Sequence, residues 1–233
     1  MQPAQPQEWM ARSVQRRRQI HWRAVEAQHL VATMRLVDTL AEQELLEQIL
    51  EASKPALPAG VRALHYLLST PFRYTSPSAS RFRRANTPGI WYGANTTKTA
   101  CAEVGYWRWR FLMDSEGLRD GELITEHSLF QAVVSGRSID LSKEPWRQRG
   151  DQWMHKTDYA ACQDLAVQAR QKAVQWIAYL SVRNPGGRCA AVLDAAALAL
   201  HEPTRRETWV CKVTRSTALF SHAGERYAFS ADG

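Results

Sequence analysis

The stretch Arg73–Trp109 combines arginine, Trp and Tyr side chains with a single acidic residue, Glu103. Its neighbours Ala, Cys and Val predict that this carboxylate lies near the buried start of a helix. An unpaired buried carboxylate costs several kcal/mol or becomes protonated, whereas nearby guanidinium groups keep it ionised. Such a group suits a reaction that develops positive charge, for example cleavage of a glycosidic bond to a cationic leaving group.

Four further side chains are candidates for the same site: Arg73, Arg81, Tyr92 and Ser181. Each has an ordinary structural explanation when taken alone, because single arginines are commonly solvated and a tyrosine in an aromatic strand is commonly core. A serine at a helix end often satisfies only backbone groups. Taken together, arginines grip phosphates and aromatic rings offer flat faces to a heterocycle, as a dinucleotide such as NAD⁺ requires. No GxGxxG pattern follows a predicted strand, so a Rossmann-type site is not expected.

The elements that must position these residues predict an α+β domain. Tyr92 falls on a glycine-bounded aromatic strand, Glu103 on a capped helix, and Ser181 at the end of a long helix. The predicted elements are a short helix followed by a strand at Phe72–Tyr74, a strand over Gly89–Ala94, a helix over Asn95–Asp114 capped by Asn95 or Thr96, two short strands around Ser135–Gly136, a helix over Tyr159–Ser181, a strand after the turn Arg183–Gly187, and a strand over Glu207–Thr214.

The residues before this domain predict a helical extension. Met10–Ser53 is predicted to form two helices, because leucines and an isoleucine recur near helical spacing in its second half. The basic cluster Arg12–Arg23 falls on the first of them. Two prolines and a glycine in Lys54–Gly60 then break the pattern, which predicts a helical extension over residues 1–60 and the core domain over residues 61–233.

Composition narrows the class of protein. The chain has 233 residues, of which 45% are hydrophobic and 23% charged, as expected for a soluble globular protein. We find no signal peptide, and the longest apolar run, Ala190–Leu200, is too short to span a membrane. The four cysteines form no CxxC pair, so we expect free thiols, no metal and a cytoplasmic location. The net charge of +7 predicts an anionic partner: nucleic acid, a phosphate-bearing small molecule or an acidic protein.

The sequence resembles the RES-domain family, which is named for an arginine, a glutamate and a serine. The resemblance rests on "PFRYTSPSASRFRRANTPGIWYGANTTKTACAEVGYWRW" and "YLSVRNPGGRCAAVLD", and it covers the chain from about Leu67 onward. It places the family arginine at Arg81, the glutamate at Glu103 and the serine at Ser181. Further matching positions are Tyr92 and the pair Arg73–Tyr74. Ser80 stands where many members have glycine, and the run Arg81–Arg84 leaves open whether Arg81, Arg83 or Arg84 grips the phosphates.

The resemblance implies a fold similar to ADP-ribosyltransferase toxins and a toxin of an Xre–RES toxin–antitoxin pair that consumes NAD⁺ as substrate. Glu103 would then stabilise an oxocarbenium-like transition state, and Ser181 would bind the dinucleotide or position Glu103. Residues implied in NAD⁺ binding are Arg73, Tyr74, Arg81, Phe82, Tyr92 and Ser181. The acceptor stays open between water (glycohydrolase), phosphate (phosphorylase) and a protein side chain (ADP-ribosyltransferase).

The same resemblance implies an Xre-type antitoxin that blocks the NAD⁺ pocket and makes any DNA contact itself. A rival hypothesis is a non-enzymatic nucleic-acid-binding protein that uses Arg12–Arg23, although we find no DNA-binding motif and charged helix faces are usually only solvated. The leucine stripe of Met10–Ser53 predicts either self-association or packing on the core of the same chain.

Overall fold

The computed structural model describes residues 6–27 and 36–230, and its centre is an eight-stranded sheet. The strand order is β1-β2-β5-β4-β3-β6-β7-β8, and β1 also pairs with β3. The strands are β1 (Gln15–Glu26), β2 (Trp91–Ala94), β3 (Leu123–Asp140), β4 (Trp176–Leu180), β5 (Arg188–Val192), β6 (Arg206–Val213), β7 (Thr217–His222) and β8 (Glu225–Ser230). The helices are α1 (Pro6–Ser13), α2 (Leu40–Ser53), α3 (Tyr66–Arg73), α4 (Thr97–Asp114), α5 (Gly150–Trp153) and α6 (Ala160–Gln171). The predicted mixed α and β class is confirmed.

The first half of the predicted helical extension is wrong. Gln15–Glu26 forms strand β1, which pairs antiparallel with β3 from Gln15 opposite Ser138 to Glu26 opposite His127. Arginine and glutamine are good helix formers, so local propensity favoured a helix, but a full ladder of hydrogen bonds to a distant strand overrides that weak preference. Most of the basic cluster therefore lies on a strand.

The second half of that prediction holds where the structure describes it. Leu40–Ser53 is helix α2, which begins with a capping box between Thr39 and Glu42. The predicted helical residues 28–35 lie outside the described part of the chain. The predicted division at residue 60 stays a prediction, to which the structure adds that β1 belongs to the same sheet as the later strands.

Three other predicted elements differ. Phe72 and Arg73 close helix α3 and do not begin a strand. The two short strands predicted around Ser135–Gly136 are one strand, β3, which continues through Gly136 at a φ of +149°. The long helix predicted to reach Ser181 ends at Gln171, and the chain turns at Ala173 (φ 54°) into strand β4.

Both faces of the central strands are buried, as their alternating side chains show. Ile177 and Tyr179 of β4 join a large apolar cluster that also contains Met10 of α1, Cys101 of α4 and Leu165 of α6. The alternate side chains of β4, Trp176 and Ala178, point to the other face of the sheet. There they pack in a second cluster with Leu67 and Leu68 of α3. The sheet thus has helices on both faces. Within the described ranges, no helix has both the length and the apolar character needed to cross a membrane.

Candidate active site

Helix α4 carries Glu103 to a point where three elements meet. The helix is capped by the side chain of Thr96, which accepts a hydrogen bond from the backbone N–H of Thr99. Oε1 of Glu103 accepts a hydrogen bond of 2.6 Å from Oγ of Ser181, the residue that follows β4. Sγ of Cys189, on β5, lies 3.9 Å from the same oxygen. The fold therefore joins the predicted glutamate and serine, which are far apart in sequence.

The Ser181 hydroxyl uses all of its hydrogen-bonding capacity on neighbouring residues. Its side chain is buried, and its Oγ accepts hydrogen bonds from the backbone N–H groups of Arg183 (3.1 Å) and Asn184 (3.0 Å). A hydroxyl has one proton and two acceptor sites, so these contacts leave the proton for Glu103. The hydroxyl is thus oriented by the turn after β4, and it fixes the carboxylate.

Cys189 adds a second donor beside Glu103. Burial, and then the charge of Glu103, raises the pKa of the Cys189 thiol well above its ordinary value. The thiol therefore stays protonated at neutral pH and directs its weak S–H donor towards the carboxylate.

Glu103 lines a cavity of about 230 Å³ whose walls combine aromatic rings with guanidinium groups. The cations on its walls are Arg23, Arg81 and Arg183, and the rings include Tyr92, Tyr106, Trp107 and Tyr159. A carboxylate, three arginines and several rings around one cavity can hold a ligand that has negative charges at one end and a flat, electron-poor ring at the other. We call this the Glu103 cavity.

Hydrogen bonds to backbone oxygens hold the Arg81 side chain in place. The residue is 7% exposed, and its Nη1 donates to the backbone oxygens of Trp153 (3.1 Å) and His155 (2.9 Å). Its guanidinium carbon lies 4.6 Å from the centre of the Tyr159 ring. These contacts fix the guanidinium plane on the wall of the Glu103 cavity, where its remaining donors can serve an anion.

Tyr92 positions the segment that carries Arg81. Its hydroxyl is 2.8 Å from Oγ of Ser80 and accepts a hydrogen bond of 3.1 Å from the backbone N–H of Phe82. Burial is the main cause that raises the pKa of Tyr92, so the phenol stays neutral. Ser80 is thus used as a hydrogen-bond partner of Tyr92.

Arg23 also lines the Glu103 cavity, and it was not among the residues predicted from the sequence. It lies on β1, and its Nη1 donates to the backbone oxygen of Tyr92 at 2.9 Å. Its Nε is buried without a hydrogen-bond partner, and desolvation lowers its pKa to about 10. The prediction failed because Arg23 was assigned to a solvated helix. The alternation of Ile20, Trp22 and Ala24 was the local signal that could have indicated a strand.

The other predicted residues lie apart from Glu103. Arg73 faces α2, where it donates to Oε1 of Glu51 (2.7 Å) and to the backbone oxygen of Pro55 (2.6 Å). Phe82 is buried, with its ring centre 4.9 Å from that of Tyr179.

The three arginines of the run Arg81–Arg84 point in different directions. Arg83 donates to the backbone oxygens of Ser76 and Ser78, and Arg84 forms an ion pair with Asp164. Of the three arginines, Arg81 lines the Glu103 cavity. The roles of Arg73, Tyr74 and Phe82 in binding stay predictions.

A second cavity, of about 440 Å³, adjoins the first. Arg23, Ser80 and Tyr92 line both cavities, and Tyr74 lines the second. Within residues 6–27 and 36–230, no three His, Cys, Asp or Glu side chains come close enough to hold a metal ion.

Comparison with known proteins gives one family and one fold. A family model described as "RES domain" matches residues 57–213. No curated protein matches the chain. A chain in the crystal structure of the M. tuberculosis MbcT–MbcA toxin–antitoxin complex has a similar fold, with a TM-score of 0.50 and 14% sequence identity over 90% of this chain and 92% of that chain. β1 and Arg23 lie outside the residues that the family model matches.

Proposed function

This chain belongs to the RES-domain family, and we propose that it is the toxin of a toxin–antitoxin pair that degrades NAD⁺ by cleaving the nicotinamide–ribose bond. The solved structure of similar fold comes from a toxin–antitoxin complex, which supports the first part of the proposal. The second part rests on one observation: the Glu103 carboxylate, held by Ser181, lines a cavity that has rings and guanidinium groups on its walls. The proposal places the reaction in the cytoplasm, where NAD⁺ is available.

The proposed step needs little covalent chemistry from the protein. The bond between the ribose carbon and the nicotinamide nitrogen breaks, and its electron pair neutralises the pyridinium ring, which leaves as nicotinamide. Positive charge develops on the ribose ring, and a carboxylate beside it stabilises the transition state more than the ground state. An oxygen of water or phosphate then bonds to the ribose carbon, and a proton is released.

The remaining side chains have binding and positioning roles in this proposal. Arg23 and Arg81 hold the pyrophosphate, since both guanidinium groups are fixed by backbone carbonyl oxygens and line the cavity. Trp107 offers a face to the nicotinamide ring, whereas the Arg183 guanidinium covers one face of Tyr106, with its carbon 3.4 Å from the ring centre. Ser181 acts on Glu103 and not on the ligand, since its hydroxyl is buried and already fully bonded.

Glu103→Gln tests the proposal directly. The substitution keeps the shape of the side chain but removes the charge that opposes the developing cation, so NAD⁺ turnover should fall by about a hundredfold or more. The matched control is Glu116→Gln, which removes the same charge from an exposed turn after α4. Turnover is measured by chromatography of nicotinamide and the ribosyl product. A folded Glu103→Gln protein that consumes NAD⁺ at the normal rate would contradict the proposal.

The same assay, run with and without phosphate, separates the acceptors. Free ADP-ribose indicates a glycohydrolase, and a phosphorylated ADP-ribose that forms only with phosphate indicates a phosphorylase. Nicotinamide release that requires an added protein, together with a mass increase on that protein, indicates an ADP-ribosyltransferase. Salt-dependent DNA binding without nicotinamide release would favour the non-enzymatic alternative, for which Arg16 and Arg18 on β1 are exposed.

We further propose that a small Xre-type antitoxin inhibits the enzyme by occupying the Glu103 cavity and supplies any DNA contact of the complex. Without the phosphates of NAD⁺, the guanidinium groups of Arg23 and Arg81 would favour an acidic segment or a chain carboxylate. The test is co-expression with the product of the neighbouring gene, followed by NAD⁺ turnover of the purified complex. A complex as active as the free protein would rule out occlusion of the cavity.

A further inference from the structure

The second cavity has its own walls, which the first does not share. Helix α3 and the loop after it supply Tyr66, Thr70 and Tyr74, while the end of β1 supplies Glu26 and β3 supplies Ser128. It meets the Glu103 cavity at Arg23, Ser80 and Tyr92. We call it the α3 cavity.

Size indicates that the Glu103 cavity alone does not hold a whole dinucleotide. Pockets for drug-sized ligands commonly measure about 300–1,000 Å³. The Glu103 cavity encloses about 230 Å³ and the α3 cavity about 440 Å³. Each can take one nucleoside-sized half, and the two together can take an elongated ligand with two ring systems.

The charge at the point where the two cavities meet indicates which chemical group joins the two halves of the ligand. Arg23 is half-buried, its Nε is buried without a hydrogen-bond partner, and its one observed hydrogen bond goes to a neutral carbonyl oxygen. A partly buried cation in this state is stabilised by an anion within reach. A pyrophosphate that crosses from one cavity to the other would pass this side chain.

The chemistry of the α3 cavity suits an adenosine. Tyr66 and Tyr74 line it and remain 62% and 38% exposed, so their rings are available to stack on a base. Ser128 and Glu26 also line it, and hydroxyl and carboxylate groups bind ribose hydroxyls. The Glu26 carboxylate is held in place by an ion pair with Arg108.

We propose that the α3 cavity binds the adenosine half of the dinucleotide whose nicotinamide half occupies the Glu103 cavity, with the pyrophosphate at Arg23. This inference rests on the proposed function, since it divides one substrate between the two cavities. It makes the segment before residue 75 part of the substrate site through Tyr66, Thr70 and Tyr74.

Adenosine monophosphate (AMP) serves as a probe that does not depend on turnover. Thr70 is exposed on α3, so Thr70→Trp places an indole in the cavity with little disturbance of the fold. Affinity for AMP, measured by calorimetry, should fall by about tenfold or more, which is the scale of one lost base-stacking contact. Val167→Trp adds the same ring to an exposed position of α6 outside both cavities and should bind AMP like the wild-type protein.

The kinetic arm compares NAD⁺ with nicotinamide mononucleotide, which lacks the adenosine half. Thr70→Trp should raise KM for NAD⁺ by about tenfold and leave KM for the mononucleotide unchanged. Equal effects on both substrates, or normal AMP binding by Thr70→Trp in a protein whose wild type consumes NAD⁺, would overturn the inference while the proposed function stands.

A failure of the proposed function alone would give a different pair of results in the AMP-binding and NAD⁺-turnover experiments. AMP binding that Thr70→Trp abolishes, in a wild-type protein that leaves NAD⁺ intact, would support the adenosine site and contradict the proposed function. A wild-type protein that neither binds AMP nor consumes NAD⁺ would overturn both.

Discussion

The hydroxyl of Ser181 connects the backbone of a turn to a carboxylate. It accepts two backbone N–H groups and donates to Oε1 of Glu103 at 2.6 Å. A hydrogen bond to a charged acceptor is worth about 1.5–3 kcal/mol. In the proposed reaction, Ser181 therefore acts without touching the substrate, because its hydroxyl orients the Glu103 carboxylate.

Ser181→Ala should lower kcat for NAD⁺ by about tenfold to a hundredfold with little change in KM, since it frees Glu103 without removing its charge. The control is Ser142→Ala, which deletes a hydroxyl that donates to Oδ1 of Asp140 at 2.6 Å. Steady-state kinetics of both variants and of the double variant Ser181→Ala/Glu103→Gln check the prediction. A double variant much slower than Glu103→Gln would mean that Ser181 acts independently of the carboxylate.

Three of the predicted residues line the Glu103 cavity: Glu103, Arg81 and Tyr92. A lone acid among small apolar residues indicated Glu103, and the family pattern also indicated Ser181, which lies behind the cavity wall. Arg73 faces α2, because Glu51 offers it a carboxylate that no local pattern reveals. Arg23 could not be chosen among the arginines of its cluster without knowing that its segment is a strand, because on a helix it would point elsewhere.

At the scale of elements, helix α4 sits unusually close to strand β7. A Cβ placed on Gly105 would lie 3.0 Å from Cε2 of Phe220 and 3.1 Å from Cβ of Ala218. The glycine therefore allows the approach of the helix that carries Glu103 two residues earlier and Tyr106 one residue later.

Gly105→Val should lower the free energy of unfolding by about 1–3 kcal/mol, because a larger side chain forces α4 away from β7. NAD⁺ turnover should fall with it, since Glu103 moves with the helix. Gly117→Val is the control, because no atom lies within 4 Å of a Cβ built on Gly117. Urea unfolding of the two variants measures the difference, and equal losses of stability would show that the close approach does not matter.

Elements with strong local signals were predicted from the sequence, and those held by distant partners were not. Helix α4 has a capping threonine, and β2, β5 and β6 have glycine-bounded or alternating patterns. The turn that separates α6 from β4 uses Ala173 at φ 54°, a conformation that usually signals glycine. Without that signal the two elements looked like one helix.

Helix α2 exposes the leucine stripe predicted from the sequence. Leu40, Leu45 and Ile49 are 77%, 56% and 57% exposed in this single chain. The alternative in which the leucine stripe packs on the core of the same chain is therefore not seen for these residues. Self-association through this helix stays a prediction.

At the scale of the whole molecule, two buried histidines make stability depend on pH. Desolvation, followed by Arg188 for His21 and Arg108 for His127, lowers the pKa of each to about 4. The unfolded chain binds these protons near pH 6.5, so protonation favours unfolding. The stability that these groups confer is complete above pH 6.5 and is lost as pH falls towards 4.

The free energy of unfolding should therefore decrease from pH 6.5 to pH 4.5, by about 2 kcal/mol for each histidine. Urea unfolding at several pH values measures the slope. His127→Gln, which keeps a hydrogen-bond partner for Thr125, should remove about half of it. A free energy that stays constant over this range would show that the histidines are not held neutral.

The pairing of β1 with β3 also governs when activity can appear during synthesis. β1 is made first, but its partner residues His127–Ser138 follow about a hundred residues later. At translation rates of about 5–20 residues per second, β1 waits about 5–20 s for that strand. The Glu103 cavity further requires Arg183 and Cys189. A nascent chain thus lacks the complete cavity until residues 183–189 have left the ribosome, so the proposed antitoxin, if synthesised beforehand, would meet the chain before any turnover.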